Sequence, residues 1–268
     1  MIGHALQALH AVVTRELLRF VQQRSRLLSS LVRPTLWLVV FAAGFQNVFG
    51  VAVIEPYTSF VTYQVYIAPG LLGMVLLFNG MQSSLAMVYD REMGTMRLLL
   101  TAPLPRWWLL ACKLFGGVVL SVAQAYAFLL LCALFGVGLP WLGYLQVLPA
   151  LMISGMMLGA LGLLLATSIR QLENFAGTMN FVIFPMFFLS TALYPLWKLR
   201  ESGAEWLYWV ASINPLTHAV ELIRFAVHGQ LQTTSLSVVS GCFLVFFLAA
   251  CWGFDPQRGV IKKRARGS

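Results

Sequence analysis

Charged residues interrupt this chain rarely and at long intervals. Residues 34–54, 56–89, 114–169, 174–197 and 225–254 contain no Asp, Glu, Lys or Arg. A helix needs about 20 mostly apolar residues to cross a bilayer, so four of these intervals suit one span each. The interval 114–169 is too long for one. It contains GVGLPWLGY (136–144), a Gly/Pro-rich break suited to a tight turn, and divides into two. The pattern predicts six helices, near 34–54, 63–89, 107–135, 144–169, 174–195 and 236–254. Long apolar runs lack the strand alternation of a barrel, and only helices or closed barrels satisfy every backbone group in lipid. The predicted class is an all-α membrane protein, one transmembrane domain over 1–268.

Composition supports that class. The 268 residues are 59% hydrophobic and 10% charged, whereas a soluble domain is roughly half apolar and a quarter charged. Six spans put both termini on one side of the membrane, and the distribution of Lys and Arg says which. Arg15, Arg19, Arg24, Arg26 and Arg33 precede the first span. Arg91, Arg97, Arg106 and Lys113 surround the second turn, and Arg170 lies between the fourth and fifth spans. Arg258, Lys262, Lys263, Arg264 and Arg266 fill the tail. Only Lys198, Arg200 and Arg224 fall on the other side. The first side is expected to be cytoplasmic. The net charge of +9 therefore needs no nucleic acid, because a polybasic tail beside a membrane meets anionic headgroups. The first ~30 residues lack the compact apolar stretch and small-residue cleavage site of a signal peptide. Cys112, Cys132, Cys242 and Cys251 lie in or beside apolar spans without CxxC spacing and read as small buried hydrophobes. His4, His10, His218 and His228 lack metal-ligand spacing.

Within residues 1–30, Leu6, Leu9, Val13, Leu17 and Phe20 recur every three or four positions, and Arg15, Arg19, Gln22 and Arg26 form another stripe. This describes a helix lying in the interface, as a surface anchor or as a docking element. Asn79, Ser83, Ala86 and Asp90 share one face of the second span, with Gln82 beside them. Such a stripe points into a bundle or toward a water-filled path. Gly155, Gly159, Gly162 and Ala166 on the fourth span allow close helix approach, and Pro185 is expected to kink the fifth. Between the last two spans, 196–235 reads as two short helices broken at Asn214-Pro215, rich in interfacial Trp and Tyr. Glu221 and Arg224 stand one turn apart there, and each charge near the membrane needs a partner.

No G-x-x-x-x-G-K-[ST] phosphate cradle is present, so the chain is not expected to hydrolyse ATP itself. Nor is there an HExxH, a GxSxG or a Ser-x-x-Lys. Every Asp and Glu sits at a span boundary or in a loop, which disfavours a coupling ion carried by this chain. Power from outside the chain fits better than an ATP-independent channel or secondary carrier. An intramembrane enzyme built around His218, Glu221 and Arg224 would lack a second acid or a metal-ligand set.

The segment YDREMGTMRLLLTAPLPR (89–106) places five charged side chains, a glycine and two prolines between two apolar spans. Together with INPLTHAVELIR (213–224), an amphipathic N-terminus and six spans, it resembles the type-2 ATP-binding-cassette exporter permeases over essentially the whole chain. The resemblance implies an interfacial N-terminal helix, a cytoplasmic coupling helix after the second span and an extracytoplasmic re-entrant hairpin. It implies that Asp90, Arg91, Glu92, Gly94, Thr95 and Arg97 engage a separate cytoplasmic ATP-binding cassette subunit, present in two copies and carrying ATP and Mg. It also implies a homodimer in a bacterial inner membrane, moving substrate outward by alternating access. Asn214, Pro215, Glu221 and Arg224 would form the outer re-entrant element. Asn79, Gln82, Ser83 and Asn180 are the candidates for the translocation path. Drugs, lipids and glycans are open as substrates, and the dominance of Phe and Leu favours an amphiphile.

Overall fold

The computed structural model describes residues 7, 9–15, 17–18, 24–45, 56–57, 62–94, 105–169 and 171–254. Among the described residues every regular element is a helix. They are α1 (Arg24–Phe45), α2 (Tyr63–Glu92), α3 (Arg106–Leu134), α4 (Gly143–Ser168), α5 (Leu172–Phe188), α6 (Leu196–Glu201), α7 (Glu205–Ile213), α8 (Pro215–Val227) and α9 (Thr233–Gly253). The described part of residues 7–18 is also helical. Among the described residues, four helices, α2, α3, α4 and α9, are long and apolar enough to cross a membrane.

These four lie close to the spans predicted at 63–89, 107–135, 144–169 and 236–254. The other two differ. The helix expected at 34–54 begins at Arg24, because Arg, Ser and Leu are tolerated in helices and a charge alone ends none. Pro34 lies inside it, and the Thr35 hydroxyl donates to the Leu31 carbonyl at 2.7 Å. The expected boundary between a surface helix over 1–30 and a first span at 34 is therefore absent. The helix expected to reach 195 stops at Phe188, and a turn over 189–194 follows. Pro185 lies in its last turn. The segment 196–235 holds three short helices rather than two. Gly203 adopts φ +75° between α6 and α7, a left-handed conformation that favours glycine. Its successor Ala204 donates back to Leu199, closing the C-terminus of α6.

α2 is the central element. It packs against α1, α3, α4, α5 and α8, and most of its residues are buried. Lipid supplies no hydrophobic drive between helices, so association rests on close packing, which small residues permit. A Cβ at Gly80 would stand 3.1 Å from the Gly159 Cα, and one at Gly162 2.5 Å from the Ser84 Oγ. Gly70 touches the turn after α5, where a Cβ would meet the Ala192 carbonyl oxygen at 2.3 Å. α1 covers α2 through Leu38, and its Trp37 meets Phe187 edge-on at 5.9 Å. α9 packs on α4 and α8 but leaves Leu244, Val245, Leu248 and Trp252 exposed, the pattern of a helix with a lipid-facing side. Cys112 and Cys132 are buried, Cys242 and Cys251 are partly so, and all four are free thiols.

This packing gives the first prediction. Gly70→Ala forces backbone apart at Ala192 and is expected to cost about 1–3 kcal/mol, the usual range for overpacking. Gly241→Ala, where a Cβ meets nothing within 4 Å, should leave stability unchanged or raise it slightly. Thermal melting of the two purified variants beside wild type compares them, and equal melting would refute the assigned contact.

Candidate functional site

Buried ion pairs lie at the two ends of α2. At the Tyr63 end, the turn 189–194 and α8 meet α2 through a connected set of hydrogen bonds. Asn214 caps α8, its Oδ1 accepting from the Leu216 amide at 3.0 Å. Its Nδ2 donates to the carbonyls of Met186 and Leu189, both at 2.7 Å. One side chain thus satisfies the start of α8 and the end of α5. Pro215 follows at the first helical position, where its missing amide hydrogen costs nothing. Tyr63 donates to the Leu193 carbonyl at 2.8 Å, and Tyr66 to that of Thr191 at 3.1 Å.

Arg224 is the charge at the centre of this set. It is only 3% exposed. Its Nη1 donates to Glu221 Oε1, forming the i,i+3 pair expected from the spacing. Its Nη2 donates to the Thr191 carbonyl at 2.8 Å, and its guanidinium lies 4.1 Å from the centre of the Tyr66 ring. Burial pulls the Arg224 pKa down, but the Glu221 carboxylate and the neighbouring Tyr66 and Tyr57 outweigh it and hold the group above its ordinary value. Desolvation pushes the Tyr57 hydroxyl pKa up, so that phenol stays neutral. The arrangement is a brace: a buried cation made tolerable by a carboxylate, a carbonyl and an aromatic face. His218 contacts the Ser212 carbonyl at 3.0 Å, and Glu221 is engaged by Arg224. The arrangement suits bracing better than acid chemistry.

At the other end, Asp90 is 4% exposed. Lys113 Nζ of α3 stands 2.6 Å from Asp90 Oδ2, and Arg15 Nη2 lies 3.9 Å from the same oxygen. Asp90 therefore faces inward, in keeping with the stripe it shares with Asn79 and Ser83, although the resemblance also grouped it with the residues that would engage an ATPase. Glu92 and Met93 are exposed, Arg91 is half-buried, and Gly94 turns the chain with φ +77°. α2 thus continues through Asp90, Arg91 and Glu92, which form its last turn. Thr95 and Arg97 lie outside the described residues. The sequence reasoning passed over Lys113 as a partner. The available signal was two opposite charges at the facing ends of consecutive helices, in a chain that has few charges.

The four path candidates separate. Asn79 and Gln82 line a cavity of ≈ 30 Å³ with Arg33, whose guanidinium lies 4.0 Å from the centre of the Phe78 ring. Asn79 Nδ2 and Gln82 Oε1 are buried there without a hydrogen-bond partner, and the cavity is large enough for a water molecule. Ser83 faces α3 instead, its Cβ 3.0 Å from where a Gly117 Cβ would stand. Asn180 is exposed on α5.

The brace yields a graded expectation. Glu221→Gln or Arg224→Gln strands the remaining charge, which at a buried site costs about 3–5 kcal/mol, and should lower the amount of folded permease recovered. The double variant should regain part of the loss. Size-exclusion profiles of the three variants give the comparison, and a double variant no better than either single would remove the brace.

Comparison with known proteins follows from this geometry. Residues 7–227 match the ABC-2 type transporter family. The chain is 32% identical over 228 residues to ycf38 of Cyanophora paradoxa, named as a transport permease, covering 82% of this chain and 74% of that protein. A ycf38 protein of Porphyra purpurea is 30% identical over 224 residues, covering 82% and 74%. YbhR of Escherichia coli K12, named as a multidrug ABC transporter permease, is 26% identical over 186 residues, covering 68% and 48%. A long helical bundle whose few buried charges are paired at its two ends belongs, by this sequence match, to the ABC-2 type transporter family of membrane permeases.

Proposed function

We propose that this chain is the membrane subunit of an ATP-driven exporter, powered by a separate cytoplasmic ATP-binding cassette subunit. The observation that carries the reading is the end of α2. Asp90 is locked to Lys113 across the α2–α3 pair, while Glu92, two residues on, is exposed beside the turn at Gly94. A charged, solvent-facing end held by a buried ion pair suits a partner that pushes on the bundle. The chain has no phosphate cradle of its own, so ATP and Mg reside on the partner. Two copies of this chain with two copies of the ATPase form the working complex, in a bacterial inner membrane with both termini cytoplasmic. Closure of the ATPases displaces the 89–106 segments, and the interface between the two permeases opens outward.

The cargo is an amphiphile, of drug, lipid or glycan type. Its support is the relative named for multidrug transport and the abundance of apolar side chains in the spans. Outward movement and the homodimer rest on the same family reading.

Reversing one charge tests the coupling. Glu92→Lys places like charges against a complementary partner surface, a change that costs several kcal/mol at an interface. The variant should insert and dimerise normally, while stimulation of the ATPase and export fall at least about tenfold. Normal export at wild-type protein levels would reduce 89–106 to a topological loop.

Orientation has its own test. In a background without the native cysteines, an impermeant maleimide applied to intact cells should label a thiol placed at Ser202 and spare one at Ser268. Labelling at Ser268 would invert the orientation and with it the assignment of the ATPase-facing end.

A further inference from the structure

At the Tyr63 end of α2 the helices α6, α7 and α8 form with it an open chamber of ≈ 380 Å³, within the range of about 300–1,000 Å³ typical of small-molecule sites. It is too small for a two-chain lipid and large enough for a headgroup. Its walls come from α2, α6, α7 and α8, and its polar lining is dominated by donors. Among the described residues, Arg200 and Arg224 line it together with Glu221, the one acidic residue of that lining. Arg224 and Glu221 neutralise each other, which leaves the charge of Arg200 in excess. The Arg200 guanidinium stands 5.6 Å from the centre of the Tyr208 ring at the chamber wall. Trp197 adds a second feature. Its indole Nε1 is buried and has no hydrogen-bond partner, and an indole N–H only donates. Arg224 Nε is a further buried donor without an acceptor. A buried donor left unmade costs about 1–3 kcal/mol, so an acceptor that reached either group would be favoured.

The chamber also sits where amphiphiles meet water. Trp206 and Trp209 of α7 are exposed beside it, and such rings prefer the headgroup level of a bilayer. We infer that this chamber is a binding site for an oxyanion headgroup, with Arg200 and Trp197 Nε1 donating to its oxygens and Tyr208 and Tyr66 lining its apolar side. The site is separate from the ATPase-facing end and does not depend on the exporter reading. An acidic phospholipid of the adjacent leaflet and free phosphate share this chemistry, and the experiment separates them.

Full-length wild-type permease would be placed in nanodiscs of phosphatidylcholine containing a photoactivatable phosphatidylglycerol, irradiated, and digested for mass spectrometry. Crosslinks are expected in 195–208, and a photoactivatable phosphatidylcholine should give about tenfold fewer. Arg200→Gln and Trp197→Phe, neither of them a hydrogen-bond partner of the buried brace, should each lower the phosphatidylglycerol crosslink, by about tenfold for the charge, the size expected of one charge-assisted hydrogen bond. Arg106→Gln, at the opposite end of the bundle, should not. Melting temperatures equal to wild type establish that the variants are folded. Loss of the crosslink on adding millimolar inorganic phosphate would identify a soluble oxyanion as the occupant and keep the site. Equal labelling by the two lipids, or full labelling of both folded variants, would overturn it.

Discussion

Backbone contact between α2 and α4 organises this protein. Gly80 and Gly159 meet with no side chain between them, and Gly162 fits against Ser84 and the Gly80 carbonyl. In lipid, where apolar side chains gain little by leaving one apolar surface for another, such contact is a main source of helix association. It also removes freedom. Two backbones in contact cannot slide without a clash, so α2 is held along a substantial part of its length. At 1.5 Å per residue its 30 residues make a rod about 45 Å long, and the two buried ion pairs lie at its ends.

The two ends solve the same problem differently. Each places a charge in a poorly solvated setting, where an unpaired ion is strongly disfavoured. At one end Asp90 gains Lys113 of the next helix, with Arg15 nearby. At the other Arg224 gains Glu221 from its own helix, the Thr191 carbonyl from the turn after α5 and the face of Tyr66. The first arrangement ties consecutive helices where the proposed ATPase would press. The second ties α8 to a turn and to α2. In the proposed cycle, motion at the Asp90 end is carried by a rod whose far end already grips the outer helices, so the outer side responds without a separate linkage.

The outer helices also show how a short polar motif organises a loop. Asn-Pro at 214–215 is a modest signal in sequence. In the fold, Asn214 supplies an acceptor to α8 and two donations to α5, and Pro215 starts a helix whose buried side carries Arg224. The break between α6 and α7 was not legible, because it depends on one glycine adopting φ +75°, and composition does not distinguish such a glycine from one at a packing contact. The early start of α1 was missed for a related reason: Arg and Ser mark the limit of apolar sequence, and helical backbone continues past that limit.

What the sequence by itself determined is the solvent and the element type. Long uncharged runs admit only lipid and helices, because every backbone group in hydrocarbon must bond within its own segment, and that constraint is local and one-dimensional. It located four long helices to within a few residues, the break at Asn214 and the Glu221–Arg224 spacing. Tertiary structure alone decided which distant groups share a site. Asp90 found Lys113, Arg224 found Thr191, Asn79 and Gln82 turned toward Arg33 while Ser83 turned toward Gly117. A helical face records only an angle about its axis. Which neighbour occupies that angle depends on where small residues let other backbones approach, and that is a property of the assembled bundle.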